Sequence, residues 1–288
     1  MDDSNRVIIE AWNTVLFEKF TRFKHLIIDG LAQHSDAAFA RTHYARGARV
    51  LDVGCGFGDS TLRIAASVGP NGRAIGTDCA ENFIHAAEGE ARALSVHNAD
   101  FFVADAQWDD LRGPYDAAFA RFGTMFFETP GAAMRNICHA LKPGATFTQI
   151  VWRRREENPW VYEAERCVRE IVPVVSHEES GQAHCGPGPF SMAGPDMVST
   201  MLRGAGFERI TFERHDCDIC IGRDLDEAIA FATALGPAGE IIRLAGAEGE
   251  RLRPQVVAAL KHTLKPFVQA NGVWAPSSTW FISARRPE

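Results

Sequence analysis

The stretch VLDVGCGFGD, residues 50–59, constrains the fold more than any other part of the chain. It begins with an apolar run typical of a buried strand, continues through three glycines and ends where a helical pattern starts. The glycines allow a sharp turn and let the backbone approach a ligand closely. A strand, a glycine loop and a helix in this order predict an open α/β sheet that binds a ligand at the carboxyl ends of its strands.

The chain after this loop continues to change between strand and helix. We predict strands at residues 49–53, 73–77, 101–103, 115–121 and 145–152, and helices at 59–67, 80–94 and 130–141. Pro130 begins the last of these helices, and Lys-Pro-Gly at 142–144 ends it. This alternation requires crossover connections, so it predicts a parallel sheet with helices on both faces.

The flanking regions are predicted to add helices and two more strands. The strands are predicted at 209–219 and 279–285, and the helices at 7–39, 158–172, 195–202, 225–235 and 250–269. The glycine- and proline-rich residues 176–194 are predicted to form a loop. The predicted division is an N-terminal helical cap (1–45), a ligand-binding core (46–152), a lid or substrate insertion (153–206) and the end of the sheet (207–288) with a helical insertion (220–278).

Charge and cysteine content restrict the class of protein. The formal net charge is −7, which disfavours a nucleic-acid or anionic-membrane surface. Seven scattered cysteines and an N-terminus without a signal-peptide pattern predict a reduced, cytoplasmic setting. No apolar run is long enough to span a bilayer. We therefore expect a small-molecule substrate, no nucleic acid and no membrane, and a homodimer is compatible with the sequence.

The acidic residues around the glycine loop discriminate among its ligands. Asp59 stands where the dinucleotide fingerprint G-x-G-x-x-G has its third glycine, which disfavours NAD. Asp52 would repel a pyrophosphate but attract the ammonium of a methionine moiety. Asp78 ends the second strand, where a carboxylate binds ribose hydroxyls, and Asp105 follows the third strand, where it would accept from an adenine amino group. This set favours S-adenosylmethionine (SAM) over a bare tight turn.

Several motifs together resemble the class I SAM-dependent methyltransferases. They are VLDVGCGFG (50–58), GTD (76–78), ADA (104–106), YDA (115–117) and LKPG (141–144) followed by a strand. Residues 120–153, NPW at 158–160 and GPGPF at 186–190 are similar to a bacterial small-molecule subgroup related to UbiE-type enzymes. The resemblance implies a Rossmann-like, seven-stranded, mostly parallel sheet whose last strand is antiparallel, with an N-terminal helical cap and an inserted helical lid.

The resemblance also implies the cofactor site, with SAM as cofactor and S-adenosylhomocysteine (SAH) as product. The predicted cofactor-binding residues are Trp12, Asp52, Gly54, Gly56, Asp78, Cys79, Asp105, Ala106 and Arg121. In this assignment the glycine loop holds the methionine end, and Trp12 lies on a helix that closes over the cofactor. Ala80 departs from the pattern, because many relatives have a helix-capping serine there.

The substrate side is predicted from aromatic and charged residues near the same strand ends. The predicted substrate-binding residues are Phe122, Phe126, Trp152, Arg153, His184 and Phe190. Arg153 would grip a carboxylate, with a solvated arginine loop as the alternative. His177 and His184 are candidate general bases, needed only if the acceptor arrives protonated. An ordinary loop histidine is the alternative for each.

The pair Cys217 and Cys220 forms a C-x-x-C motif without a second pair. On a strand these two cysteines face opposite sides, so the sequence predicts no shared metal and no metal in the protein. The role of Cys55 has no assignment from the sequence.

These features together predict an enzyme that methylates a small, partly hydrophobic organic molecule by in-line displacement. Two alternatives stay open from the residues alone. One is a SAM- or SAH-binding regulatory protein without turnover. The other is an NAD-dependent oxidoreductase, which Asp59 disfavours.

Overall fold

The computed structural model describes residues 3–176 and 187–288, which contain one mixed sheet. Its strands are β1 (Arg49–Val53), β2 (Arg73–Asp78), β3 (Ala99–Val103), β4 (Tyr115–Arg121), β5 (Leu141–Trp152), β6 (Glu208–Gly222), β7 (Val268–Gln269) and β8 (Gly272–Arg285). The strand order is β3-β2-β1-β4-β5-β8-β6, and β7 pairs with β8 outside this path.

The direction of the strands confirms the predicted Rossmann-like architecture. Strands β1 to β5 are parallel, and β8 is antiparallel to both of its long neighbours, β5 and β6. The seven long strands therefore match the expected number, with the last strand antiparallel. The two-residue β7 is an addition that the sequence analysis did not predict.

Strand β8 begins at Gly272, earlier than the predicted residue 279. The sequence prediction missed residues 272–278 of this strand because they include Pro276, and proline cannot donate a ladder hydrogen bond. The register explains why proline is tolerated there. Pairing with β5 begins only at Thr279, so the segment around Pro276 has a neighbour on one side only, namely β6.

Helices flank the sheet and cover its N-terminal side. They are α1 (Asp3–Ala11), α2 (Phe17–Arg22), α3 (Ala32–Arg41), α4 (Asp59–Val68), α5 (Glu81–Ala93), α6 (Pro130–Ala140), α7 (Pro159–Ile171), α8 (Pro195–Gly204), α9 (Leu225–Ala234), α10 (Gly236–Leu244) and α11 (Gly246–Leu264). Two π-helical turns, Trp12–Leu16 and Leu26–Gly30, divide the predicted helix at 7–39. Helix α10 was not predicted, because Gly-Pro at 236–237 looks like a turn but places proline in its first turn.

The core lies on both faces of the sheet and holds the strand ends in place. On one face Val50, Phe119 and Ile150 pack with Ile64 of α4, and all four are fully buried. On the other face a larger cluster joins the sheet to α6, α7 and the helices after β6. None of the helices in the described ranges is both long and apolar enough to cross a bilayer.

The N-terminal helices, α1 to α3, contact β6 through Gly30, which lies at the end of the second π-turn. A Cβ atom at Gly30 would overlap the carbonyl oxygen of Cys220, so the backbones approach too closely for any side chain.

We expect Gly30→Ala to destabilise the protein by about 1–3 kcal/mol through overpacking, measured as a lower midpoint of urea unfolding. Gly89→Ala is the matched control, because its Cβ meets no described atom within 4 Å. Equal midpoints for both variants would contradict this close contact.

Candidate functional site

The glycine loop lies between β1 and α4 and is bonded to the end of β2. Gly54, Gly56 and Gly58 have positive φ angles of 67°, 53° and 82°, which favour glycine. The Gly54 N–H donates to the carbonyl oxygen of Thr77 over 2.8 Å. A Cβ at Gly56 would meet no described atom within 4 Å, so the space above this residue is open. The loop therefore leaves room for a ligand close to its backbone.

Asp78 joins the glycine loop to α5. One carboxylate oxygen accepts from the Gly56 N–H over 3.1 Å, and the other accepts from the Ala80 N–H over 3.0 Å. The second bond holds the N-cap residue of α5, Ala80, whose own side chain makes no capping hydrogen bond. Burial raises the pKa of Asp78.

Asp52 is fully buried beneath the first turn of α4. Its Oδ2 accepts from the hydroxyls of Ser60 and Thr61 over 2.6 Å each. Its Oδ1 has no hydrogen-bond partner within the described ranges. Burial raises the pKa of Asp52 to about 6, although the two hydroxyl bonds act to lower it. An unpartnered buried carboxylate oxygen is costly, and a donating group such as an ammonium would satisfy it.

Arg121, predicted to contact the cofactor, is already bonded to protein groups. Its Nη2 donates to both carboxylate oxygens of Asp59 over 2.8 and 2.7 Å, and its Nη1 donates to the Ser35 hydroxyl over 3.1 Å. Only 8% of the Arg121 side chain is exposed. Asp59, which stands where the dinucleotide fingerprint has a glycine, therefore forms an ion pair with Arg121. This ion pair and the bond to Ser35 connect α4, β4 and α3. The cofactor contact of Arg121 stays a prediction.

The predicted adenine end of the site is closed by residues that the sequence analysis missed. Oδ1 of Asp105 accepts from the backbone and side-chain N–H groups of Gln107, both over 3.0 Å. Oδ2 of Asp105 accepts from Nδ2 of Asn5 over 2.5 Å, and Oδ1 of Asn5 accepts from the Gln107 amide over 3.0 Å. All three residues are buried, as is Ala106. No local pattern connects Asn5 to a residue one hundred positions later.

An aromatic wall lies beside the ends of β4 and β5. Phe122 stacks on Trp152 with a centroid distance of 4.4 Å, and it has a φ of 56°, an uncommon angle for a bulky residue. Trp160 stands edge-on to Trp152 at 6.3 Å and stacks on Phe231 at 5.8 Å. We call Phe122, Trp152, Trp160 and Phe231 the aromatic wall. Phe231 comes from α9, and a single aromatic residue in a helical pattern gave no sign of this role.

Trp12 and Phe126 meet at the mouth of the same region. Their ring centroids are 4.9 Å apart, and Trp12 also contacts Phe20 at 5.3 Å. Trp12 lies in a π-helical turn, a geometry often found at functional sites. The N-terminal helices thus bring Trp12 to Phe126, which follows β4, and the cofactor contact of Trp12 stays a prediction.

The other predicted substrate residues have mixed placements. Arg153 donates to Glu157 over 2.5 and 3.0 Å, and its guanidinium lies 4.0 Å from the ring centroid of Trp280. Phe190 packs against the main core. His177 and His184 lie outside the described residues. The structure therefore gives Arg153 protein partners, and its contact with a substrate stays a prediction.

The cysteines next to the strand ends are neutral thiols. Burial raises the pKa of Cys55 and of Cys79 well above the ordinary thiol value, and the nearby Asp78 carboxylate acts in the same direction. A neutral thiol is a poor nucleophile, so neither residue is suited to covalent catalysis. Cys79 lies between Asp78 and Ala80, so a packing contact with a cofactor is the role that remains predicted for it.

Known proteins that are similar to this chain include methyltransferases. Residues 50–144 match the family described as "Methyltransferase domain". Curated relatives include demethylmenaquinone methyltransferases of Lactococcus lactis, 30% identical over 34% of this chain and 39% of the relative, and of Listeria welshimeri, 24% identical over 59% and 74%. Together these matches support a class I SAM-dependent methyltransferase.

The fold of this chain is also similar to that of a solved structure. The structure of Haemonchus contortus phosphoethanolamine N-methyltransferase 2 with SAH superimposes with a TM-score of 0.57 at 15% identity, covering all of this chain and 61% of that one. At this identity the likeness concerns the fold alone. The matched region spans less than half the length of the Lactococcus lactis relative.

The Asn5 amide offers a donor beside an acceptor, as the amino edge of adenine does. If the adenine of SAM binds Asp105 as the family resemblance implies, it must displace this amide. We expect Asn5→Ala to bind SAM roughly threefold to tenfold more tightly by calorimetry, because a hydrogen bond to a charged group no longer has to be exchanged. Asn13→Ala is the matched control, since Asn13 bonds Asn82 and not Asp105. Unchanged or weaker binding by Asn5→Ala would show that the amide does not compete.

Asp52 makes stability depend on pH. Its pKa in the folded protein, about 6, exceeds its ordinary value of 3.8, so the folded state binds a proton that the unfolded state has released between these pH values. Stability due to this group therefore falls as the pH rises through this window, by up to about 3 kcal/mol. We expect Asp52→Asn to gain stability relative to the native protein between pH 4.5 and pH 7.5, measured by urea unfolding.

The control for this measurement is Asp116→Asn at the surface. Burial acts to raise the pKa of Asp116, but hydrogen bonds from the Arg49 N–H and Lys142 outweigh it, so the pKa is lowered. The Asp116 group then contributes stability above its ordinary pKa that is lost as the pH falls through the lowered value. Between pH 4.5 and pH 7.5 Asp116 stays ionised, so the stability difference between Asp116→Asn and the native protein should not change with pH. A pH-dependent gain as large as that of Asp52→Asn would contradict the assignment.

Proposed function

We propose that this methyltransferase transfers the methyl group of SAM to a small, partly hydrophobic molecule that carries a flat ring. The observation that carries the proposal is the aromatic wall beside the glycine loop, at the ends of β4 and β5. Aromatic side chains prefer stacked or edge-on contacts with other rings, and they exclude water. A site of this kind suits a planar acceptor better than an open-chain polar one.

The residues at the strand ends fit SAM. The open space above Gly56 suits a ligand that lies against the loop, and the unpartnered Oδ1 of Asp52 suits an ammonium donor. Asp78 would hold the ribose hydroxyls, and Asp105 the adenine amino group. When bound, SAM supplies a methyl group on a sulfonium, whose leaving thioether is neutral and needs no protonation.

The protein then has to align the acceptor and keep water out. The glycine loop, fixed by Asp78, would hold the methionine end in one orientation. The stacked Phe122 and Trp152 would present the acceptor ring edge to the methyl group, and their faces suit a positive sulfonium. A general base is required only for a protonated acceptor, and His177 and His184 remain the predicted candidates.

The curated relatives support a ring acceptor, because they are named for methylating demethylmenaquinone. The low identity and partial coverage make this support for the class of acceptor only. The cytoplasmic location, the homodimer and the absence of nucleic-acid or membrane partners stay predictions.

The test is methyl transfer from labelled SAM to a panel of phenols, catechols and hydroquinones, with phosphoethanolamine as the open-chain comparison. We expect at least one ring acceptor to be methylated. Trp160→Ala should raise KM for that acceptor about tenfold or more, since an aromatic contact is lost, while SAM affinity stays unchanged.

Asp78→Asn separates catalysis from mere cofactor binding in the same assay. It should weaken SAM binding and transfer together, because the loop loses its carboxylate. Tight SAM binding by the native protein without methylation of any panel member or of a metabolite extract would favour a regulatory SAM-binding protein. Methylation of phosphoethanolamine alone would overturn the ring-acceptor proposal.

A further inference from the structure

Three metal-ligating side chains converge where α3 packs on β6. They are His34, which is fully buried, and the partly buried His215 and Cys217. One donor atom from each lies within 4.8 Å of the others. The His34 ring also stands edge-on to Phe122 and Trp152 of the aromatic wall, at centroid distances of 6.1 and 5.8 Å. The proposed methyl transfer gives no role to the three metal-ligating side chains themselves.

Folding explains why the sequence did not reveal the cluster. His215 and Cys217 are two residues apart on β6, so they project from the same face of the sheet. Cys220 falls on the opposite face, and its thiol contacts the carbonyl oxygen of Gly222 instead. The two cysteines of the C-x-x-C motif therefore lie on opposite faces of β6, as expected. Cys217 has two histidine neighbours: His215 from the same face of β6, and His34 from helix α3.

The distances within the cluster are close to those around an ion. Nδ1 of His34 lies 3.0 Å from Nδ1 of His215, and Nε2 of His34 lies 3.4 Å from Sγ of Cys217. Tetrahedral zinc, with Zn–N of about 2.0–2.1 Å and Zn–S of about 2.3 Å, separates its ligand atoms by about 3.3–3.6 Å.

We propose that His34, His215 and Cys217 form a site for a divalent metal ion of the zinc type. Two imidazoles and a thiolate are a donor set that selects borderline-soft ions over magnesium or calcium. On binding, the Cys217 thiol releases its proton to solvent, and the thiolate and two neutral imidazoles ligate the ion. His215 is partly exposed, so a fourth position is left for water.

A metal ion would bind only one nitrogen of His34. His215 faces Nδ1 of this ring, whereas Cys217 faces Nε2. Binding therefore requires the imidazole rings to turn from their present hydrogen bonds. A hydroxyl group lies within hydrogen-bond distance of each nitrogen of His34. The Ser277 hydroxyl oxygen is 2.8 Å from Nε2, and the Thr279 hydroxyl oxygen is 3.1 Å from Nδ1. Whichever nitrogen is not on the metal keeps a hydrogen-bond partner, as ligating histidines usually do.

The position of the ion gives it a structural role. It would join α3 to β6, and His34 is followed by Ser35, which bonds the Arg121 and Asp59 ion pair at the glycine loop. Binding of an ion to the folded state alone stabilises that state. Metal occupancy should therefore stabilise α3 and the segment that supports the loop.

The test uses the full-length protein stripped with EDTA and titrated with Co²⁺, then with Zn²⁺ as competitor. We expect one equivalent of Co²⁺, with a thiolate-to-cobalt absorption band that Zn²⁺ removes. Cys217→Ser should abolish this band and weaken binding at least about tenfold, as loss of a metal ligand does. Cys220→Ser is the matched control and should retain both. Zn²⁺ should raise the unfolding temperature of the native protein and of Cys220→Ser, but not of Cys217→Ser.

Three outcomes would overturn the site: no Co²⁺ band in the native protein, a band that survives in Cys217→Ser, or an equal loss in both cysteine variants. His215→Gln provides a second variant at a partly exposed position, where misfolding is less of a concern than at His34. Because metal binding and unfolding are measured without SAM or acceptor, failure here leaves the proposed methyl transfer untouched, and the reverse also holds.

Discussion

The hydrogen bond from the Gly56 N–H to the Asp78 carboxylate is the interaction on which the site depends. It connects the turn after β1 to the end of β2, and the same carboxylate also accepts from the N–H of Ala80, the residue before α5. One side chain thus fixes the loop, the strand end and the next helix relative to one another. A ligand that lies over this loop meets a preformed surface, because little backbone has to be ordered when it binds.

The buried carboxylates beside this surface lower the free energy of unfolding. Asp52 and Asp78 carry pKa values raised by burial, which means that the folded state holds their charges at a cost near neutral pH. Asp52 also has one oxygen without a partner within the described ranges. Buried carboxylates of this kind cluster where a protein binds a polar or cationic group. The cost therefore supports the proposal that the loop binds a ligand.

The sequence predicted what depends on local pattern and on strand alternation. The parallel sheet and the glycine loop follow from periodicity and from short motifs read in order, and the antiparallel last strand is what the family resemblance implies. The contacts that it did not predict join residues far apart in the chain, such as Asn5 with Asp105 or His34 with Cys217. Such pairs follow from how helices dock on the sheet, and no spacing within one segment encodes them.

The N-terminal helices turn out to connect the separate parts of the molecule. Through Asn5 they hold the predicted adenine carboxylate, and through Ser35 they bond the Arg121 ion pair beside the loop. Through His34 they reach the far edge of the sheet at β6. Each contact uses a buried polar side chain, so each is a point where a ligand can compete or add a bond. If the proposals hold, these helices would cover the cofactor site, and an ion at β6 would stabilise the loop through them.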